Sequence, residues 1–360
     1  MLAVQGFQRF RRVKTREPVL KLGYHSQLNH GFIMSDRISR SGDGAIALSV
    51  ASKSDDVTIQ TPALSDLSPG DKPWDKHRSF ADRVQSHYSG SEFQAYANRV
   101  QDCSQLLGFG LTMQENNVAK LKLKTAKFCR VRHCPVCQWR RSLMWKAKAY
   151  KILPRVVEAY PLYRFLFLTL TVKNTDITTL KQTLQGMNSG FQRLSQLKSF
   201  PAIGWLRSTE VTRGRDGNAH PHFHILLLVS PSYFGRGYLS QSDWVAMWRK
   251  SMRLDYNPIL DVQAVKSGST PMELVPELLK YCTKESDMVA DRLWFLELTR
   301  QMYRIRAIAT GGVLKQYLKE LEEDPEDLIG EGDVDPDKEK NPELFFGWKK
   351  KEKKYRLVDH

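Results

Sequence analysis

The chain of 360 residues is 41% hydrophobic, 10% aromatic and 26% charged, which excludes collagen-like, wholly disordered and disulfide-dense small scaffolds. Its 55 Lys and Arg residues outnumber the 39 Asp and Glu residues, and the formal net charge of +16 favours a polyanionic partner such as nucleic acid or an anionic membrane. The longest apolar runs, residues 165–172 and 225–229, are far shorter than the roughly 20 residues that cross a bilayer. We therefore expect no membrane span and no membrane partner.

The N-terminal segment, residues 1–90, is polar and rich in Ser, Asp, Gly and basic residues. It shows no sustained hydrophobic period, which predicts a flexible arm. It also lacks the uninterrupted apolar core of a secretory signal, so we expect a cytoplasmic protein. Cysteines in a reducing compartment bind metal more often than they form disulfides.

A cysteine cluster marks the next region, residues 91–160. Cys134 and Cys137 form a C-x-x-C pair, with Cys129 just before it and Cys103 upstream, and this spacing predicts a closed structural Zn²⁺ site. A redox pair and unliganded buried cysteines are the competing interpretations. His133 is a substitute candidate ligand, and Cys282, outside the cluster, is interpreted as a packing residue.

Basic residues surround these cysteines and interleave with Trp139 and Trp145 on a helix predicted over residues 139–158. An open face of this kind offers phosphate contacts and stacking platforms for unpaired bases. The competing interpretation is a solvated helix face with two core aromatics. The candidate DNA-binding residues are Arg130, Arg132, Arg140 and Arg141.

Residues 161–319 alternate apolar strands with helical patterns, which indicates an α+β domain. Residues 165–172 predict a strand, and a Gly/Asp/Asn turn joins two more at residues 205–213 and 219–229 into a hairpin. Helices are predicted over residues 177–197, 242–253, 272–281 and 291–308. Residues 320–360 hold an acidic block and then a basic block, which predict a solvated, charged tail.

Three histidines share one face of the second hairpin strand. Because side chains alternate along a strand, His220, His222 and His224 point the same way. This spacing predicts a site for a divalent cation that could polarise a phosphoryl oxygen. The third ligand beside His222 and His224 is either His220, which we favour, or Glu210 on the partner strand.

A second candidate group follows in the helix predicted over residues 272–281 and beyond. Helical spacing would align Glu277, Tyr281 and Lys284 on one face. A phenol with a pKa near 10 needs a nearby cation or base to act as a nucleophile, so Tyr281 is a candidate nucleophile beside the histidines. The competing interpretation is a tyrosine packed at a domain edge. Lys280 lies off this face, where contact with the DNA backbone is expected.

Four segments in order resemble the replication initiators of rolling-circle plasmids, which belong to the HUH endonuclease superfamily. They are residues 128–141, 167–174, 220–229 and 277–284, and residues 306–315 look like the motif that follows the tyrosine. The resemblance covers roughly residues 91–319. It implies a central antiparallel sheet with flanking helices, to which the sequence adds a cysteine-rich zinc-knuckle insertion and flexible termini.

The resemblance also implies a mechanism. Tyr281 would attack the scissile phosphate of single-stranded origin DNA, leaving a 5′-phosphotyrosine and a 3′-hydroxyl primer. His222 and His224 would hold Mg²⁺ or Mn²⁺, Glu277 would support the terminating cleavage, and Lys284 would stabilise charge at phosphorus.

The implied partners are duplex origin DNA, a host polymerase and a host helicase, since the sequence contains no phosphate-binding P-loop. Homodimer formation is left open. Three alternatives remain at this point: a conjugative relaxase or single-strand transposase with the same chemistry, a phosphodiesterase that uses metal-bound water, and a non-catalytic zinc-containing DNA-binding regulator.

Overall fold

The computed structural model describes residues 61–113, 119–265, 270–280, 282–321 and 343–358. Residues 1–60 of the predicted arm and residues 322–342 of the predicted tail lie outside the described residues, and so does Tyr281. Within the described part of the chain, no helix is both long and apolar enough to cross a membrane.

The described residues form two antiparallel sheets and helices that pack on them, which confirms the α+β prediction. The strands are β1 (Leu106–Met113), β2 (Ala119–Ala126), β3 (Arg164–Thr171), β4 (Ala202–Arg213), β5 (Ala219–Val229), β6 (Leu260–Ala264), β7 (Ile308–Gly311), β8 (Glu343–Lys349) and β9 (Lys354–Val358). The α-helices are α1 (Leu64–Leu67), α2 (Pro73–Tyr88), α3 (Gln94–Asp102), α4 (Pro135–Ala159), α5 (Leu180–Ser195), α6 (Gln241–Met252), α7 (Val275–Leu278), α8 (Glu285–Ala290), α9 (Arg292–Gln301) and α10 (Gly312–Lys319).

The larger sheet has the strand order β6-β3-β5-β4-β7, with every neighbouring pair antiparallel. The predicted strand and hairpin are confirmed as β3, β4 and β5. Alternate residues of β5 enter two separate cores: Phe223 and Ile225 pack with the residues of α5 and α6, whereas Leu226 and Leu228 pack with those of α4, α7 and α10. Helices therefore cover both faces, and His222 and His224 lie on the face toward α4 and α7.

Gly312 shows how tightly the edge strand β7 is tied to β4. Its φ of +57° is a conformation that other residues rarely adopt, and a Cβ there would lie 2.0 Å from the carbonyl oxygen of Ile203. Glycine is therefore required where β7 passes into α10. This junction holds β7, and the chain that leads into it from Arg306, against the edge of β4.

The smaller sheet has the order β2-β1-β8-β9 and packs in the same core as α2 and α3. Trp74, Tyr88, Phe109, Phe346 and Tyr355 are each at most 1% exposed in this core. The Tyr355 hydroxyl donates to the carbonyl oxygen of Ser104 at 2.7 Å, which links β9 to the end of α3.

The prediction of flexible termini is wrong for two segments that the structure describes. Residues 73–88 of the arm form α2, because Trp74, Ala81, Val84 and Tyr88 lie on one buried helix face. Residues 343–358 of the tail form β8 and β9, because β8 pairs with the distant strand β1.

Two predicted helices also differ from the structure. The helix predicted over residues 291–308 ends at Gln301, and Ile308 already belongs to β7. The helix predicted over residues 272–281 reduces to α7, because Leu279 leaves the helical conformation and its carbonyl oxygen accepts a hydrogen bond from the Ser142 hydroxyl.

Candidate functional site

A carboxylate and two imidazoles meet at the centre of the larger sheet. Glu210 on β4 lies directly opposite His222 on β5, and Ser208 lies opposite His224. The Glu210 Oε2 atom lies 3.0 Å from His222 Nε2 and 3.1 Å from His224 Nε2. Antiparallel pairing therefore places three potential metal ligands on one face, and all three are buried.

This spacing fits a small divalent cation. Neighbouring ligands of an octahedral ion with bonds of about 2.1 Å lie about 3.0 Å apart, which matches the distances from Glu210 to the two histidines. The set of one carboxylate and two imidazoles suits Mn²⁺ better than Mg²⁺, which prefers oxygen ligands and would need water to complete its shell. The residues present therefore fit the predicted catalytic metal.

The outer ring nitrogens orient the two histidines. His222 Nδ1 lies 3.3 Å from the carbonyl oxygen of His220, to which it donates, and this leaves Nε2 to face the ligand cluster. His224 Nδ1 lies 3.2 Å from the hydroxyl of Thr169 on β3. The ring of Phe167 stacks on His224 with the centroids 5.6 Å apart.

The Glu210 carboxylate stays ionised despite its burial. Burial by itself raises its pKa, but the close contacts of the carboxylate with the His222 and His224 rings, with help from Lys280, lower the pKa to well below its usual value. The Lys280 Nζ atom lies 3.0 Å from Glu210 Oε2. Burial opposes the Lys280 charge, yet Glu277 and Glu210 outweigh it and raise the lysine pKa.

Lys280 is a residue of the site whose position the sequence did not predict. We expected a contact with DNA backbone, but its ammonium pairs with Glu210 and with Glu277. The Glu277 carboxylate lies 4.0 Å from His224 Nε2. Glu277 therefore lies close to His224, although no continuous helix joins it to Lys284.

His220 and Lys284 lie outside this cluster. His220 Nδ1 lies 2.8 Å from the side-chain oxygen of Asn174, so Glu210 fits as third ligand better than the histidine we favoured. Lys284 is exposed and precedes α8, where its carbonyl oxygen accepts from the amides of Asp287 and Met288. The expected alignment of Glu277 with Lys284 on one helix is wrong because α7 ends first.

Tyr281 is outside the described residues, but both of its chain neighbours contact β4. The Lys280 ammonium pairs with Glu210, and the Cys282 carbonyl oxygen accepts from the amide of Val211 at 2.9 Å. Cys282 also lies 3.1 Å from the side-chain oxygen of Gln138. The chain on either side of position 281 is therefore held next to the ligand cluster.

The four predicted zinc ligands come together in a second cluster. Cys103, Cys129, Cys134 and Cys137 are all buried, and their sulfurs lie within 4.8 Å of one another. Three sulfur pairs are 3.6 to 3.7 Å apart, whereas a tetrahedron of sulfurs about 2.3 Å from Zn²⁺ has edges of about 3.8 Å. The donor set fits zinc.

The pKa values of two of these buried thiols shift in opposite directions. Hydrogen bonds from the other three thiols hold the pKa of Cys137 far below its usual value, whereas burial raises that of Cys134. Cys137 also sits in the first turn of α4, where the helix dipole favours a thiolate. His133 is not in this cluster, because its Nδ1 faces Thr299 at 3.3 Å.

Three of the predicted DNA-binding arginines share a cavity of about 450 Å³ beside the ligand cluster. Arg130, Arg132 and Arg141 line it together with Lys280. Arg140 does not; its guanidinium lies 5.6 Å from the ring of Trp74. Arg306, for which the sequence predicted no individual role, also lines the cavity.

The chain matches a known protein family over most of its length. The model of a family described as "Replication protein" matches residues 120–356. No solved structure gives a significant match.

Curated relatives are named either "Protein rep" or "Replication protein". The chain is 33% identical over 300 residues to "Protein rep" of Lentilactobacillus hilgardii, covering 78% of this chain and 93% of the relative. It is 36% identical over 287 residues to "Protein rep" of Lactiplantibacillus plantarum, covering 74% and 89%. A "Replication protein" of Staphylococcus aureus is 35% identical over 232 residues, covering 59% of this chain and 98% of the relative.

Proposed function

From the premise that this chain belongs to the replication protein family, we propose that it initiates plasmid replication by nicking origin DNA. Tyr281 is the nucleophile, and the cut strand stays attached to it through its 5′ phosphate. The observation that carries the proposal is the buried cluster of Glu210, His222 and His224, next to which the chain on both sides of Tyr281 is held.

The ligand cluster supports catalysis of phosphoryl transfer. Mg²⁺ or Mn²⁺ held by Glu210, His222 and His224 would neutralise phosphate charge and orient the scissile group. The Lys280 ammonium, already paired with Glu210, adds a positive charge beside the chain position of the nucleophile. That charge favours the phenolate form of Tyr281, whose ordinary pKa is near 10.

The nicking step is a transesterification. The phenolate oxygen of Tyr281 attacks phosphorus, the bond from phosphorus to the 3′ oxygen breaks, and that oxygen takes up a proton to become a 3′-hydroxyl. A host polymerase extends the hydroxyl. Because the energy of the phosphodiester is kept in the tyrosine link, a later attack by a 3′-hydroxyl rejoins the strand without a nucleotide cofactor.

Glu277 fits a role in terminating the cycle. It is half-exposed and lies 4.0 Å from His224 Nε2, so it reaches the ligand cluster while remaining open to solvent. A carboxylate in that position can accept a proton from water or from an incoming hydroxyl. We assign Glu277 as the general base of the last cleavage.

Zn²⁺ bound by Cys103, Cys129, Cys134 and Cys137 would have a structural role. The cluster joins the end of α3 to the start of α4, and α4 contributes Arg141 to the cavity beside the catalytic site. The zinc site therefore supports the arginines that face DNA. Origin duplex is the expected recognition target, and a host helicase is the expected partner for strand separation.

The test is a denaturing gel with end-labelled single-stranded DNA from the origin region and added Mn²⁺. Wild type should cut it, and Tyr281→Phe, which lacks only the hydroxyl, should not. Tyr150→Phe, at an exposed tyrosine of α4, is the matched control and should cut like wild type. Full cutting by Tyr281→Phe would instead support hydrolysis by metal-bound water. Binding of the DNA by wild type without any cutting would support the non-catalytic DNA-binding regulator.

A further inference from the structure

We propose that single-stranded DNA leaves the metal site along two neighbouring cavities, both of which are lined by Arg130 and Arg132. The first is the cavity of about 450 Å³ beside Lys280, and the second has about 190 Å³. The inference rests on the proposed function and deepens it, because it names the route of the substrate strand beyond the nick.

The first cavity is built to receive phosphate. Arg130, Arg132, Arg141 and Arg306 line it, and its described lining includes no Asp or Glu. Trp145 lies on the same wall and offers an aromatic face. Four guanidinium groups gathered without carboxylates repel one another unless an anion enters, and phosphate matches their geometry.

Arg132 shows the need for that anion most clearly. Its Nε and one terminal nitrogen are buried and have no hydrogen-bond partner among the described residues. Buried charged donors without partners are costly, and Arg132 also faces like charge from Arg141. A phosphate in the cavity would satisfy these donors.

The second cavity combines cations with aromatic rings. Arg99 and Arg304 line it with Tyr88, Tyr96 and Tyr303, and its described lining again includes no acidic residue. Basic grooves interleaved with aromatic side chains are typical of surfaces that bind single strands, where bases stack on rings and phosphates meet cations.

Tyr303 is an exposed aromatic that packing does not explain. It is 52% exposed, and the cationic groups of Arg304 and Lys181 lie 5.2 Å and 6.0 Å from its ring. Arg304 has a φ of +61° just after α9, a position where glycine or asparagine is usual. The chain thus keeps a guanidinium and an open ring together at the mouth of the cavity.

The size of the cavities favours single strands over duplex. Pockets for small ligands have about 300–1,000 Å³, so the first cavity, with 450 Å³, admits an individual nucleotide but not stacked base pairs, whereas the second, with 190 Å³, admits only part of a nucleotide. Both cavities are lined by Arg130 and Arg132, so a DNA backbone whose phosphates contact these two arginines would lead from the first cavity, beside Lys280, toward Tyr303.

The experiment measures binding of a fluorescent oligothymidine to the full chain without added divalent cation, so that no cutting is involved. Tyr303→Ala should weaken binding at least about fivefold, the lower limit for one stacked base. Tyr303→Phe retains the ring and should bind like wild type. Both changes are at an exposed position, so folding is not at risk.

Salt dependence separates the two kinds of contact. Arg304→Gln should reduce the slope of log affinity against log salt by about 0.7, the value for one phosphate of a single strand. Tyr303→Ala should leave that slope unchanged, and so should Arg236→Gln, at an exposed arginine of a distant loop.

Three results would overturn the inference. If Tyr303→Ala and Arg304→Gln bind like wild type, the strand does not follow this route, while origin nicking by wild type would keep the proposed function. If wild type binds no oligothymidine and cuts no origin strand, both proposals fail. Equal weakening for duplex and for single strands would also reject the route.

Discussion

Glu210 faces His222 across the hairpin of β4 and β5, and its carboxylate oxygen lies 3.0 Å from His222 Nε2. The same oxygen lies 3.1 Å from His224 Nε2. One carboxylate oxygen therefore contacts both histidines, and the Lys280 ammonium lies 3.0 Å from the same oxygen. The catalytic proposal depends on this arrangement.

Glu210→Gln should weaken Mn²⁺ binding more than about 100-fold, because a direct ligand contributes at least as much as the outer partners of ligands do. Calorimetric titration with Mn²⁺ measures this. Glu277→Gln is the matched control, since Glu277 is half-exposed, and it should change the affinity less than about threefold. Equal affinity of wild type and Glu210→Gln would remove Glu210 from the ligand set.

His222→Ala and His220→Ala should differ although both residues lie on the same strand face. His222 lies in the ligand cluster, whereas His220 pairs with Asn174. We expect His222→Ala to abolish nicking and His220→Ala to retain it within about tenfold, because only the first removes a metal ligand. The nicking rate at saturating Mn²⁺ decides the question, and the reverse order of effects would restore His220 as the third ligand.

Cys137→Ser should lose bound zinc and destabilise the fold. Removing one ligand of a structural site forfeits metal binding that contributes to folding, so we expect the free energy of unfolding to fall by more than about 3 kcal/mol. Metal analysis and urea unfolding measure the two effects. Cys282→Ser, outside the cluster, should keep the zinc, and a zinc content unaffected by Cys137→Ser would contradict the assignment.

Tyr355→Phe should lower the free energy of unfolding by about 1–2 kcal/mol. The buried hydroxyl donates to Ser104, and its removal leaves that carbonyl oxygen without the bond. Tyr238→Phe, at a tyrosine that is 64% exposed, should have no effect. Equal stability of both variants and wild type would mean that β9 does not pack as described.

Local patterns predicted the centre of the larger sheet. The alternating histidines and the turn between β4 and β5 are short-range features, so the hairpin could be read from the sequence and was confirmed. The resemblance to replication proteins is also confirmed by the family match. The position of Lys280 against Glu210 could not be read, because it depends on where α7 ends, and a hydrogen bond from Ser142 on a distant helix contributes to that end.

Segments with polar buried faces were missed. In α2 the buried positions include His77 and Arg78, which interrupt the apolar period. Arg78 donates hydrogen bonds to the carbonyl oxygens of Val100 and Cys103 and to Asp82. Val100 and Cys103 lie at the end of a different helix, α3. Strand β8 likewise depends on pairing with β1, more than two hundred residues earlier in the chain, and composition alone suggested a tail.

The central claim is that Tyr281 bonds covalently to the 5′ end of the cut strand. The most direct test is mass spectrometry of peptides from the protein after reaction with single-stranded origin DNA and Mn²⁺. We expect a nucleotide adduct on the peptide that contains Tyr281, absent from the Tyr281→Phe variant. Cutting of the DNA with no adduct, or an adduct on another residue, would contradict it.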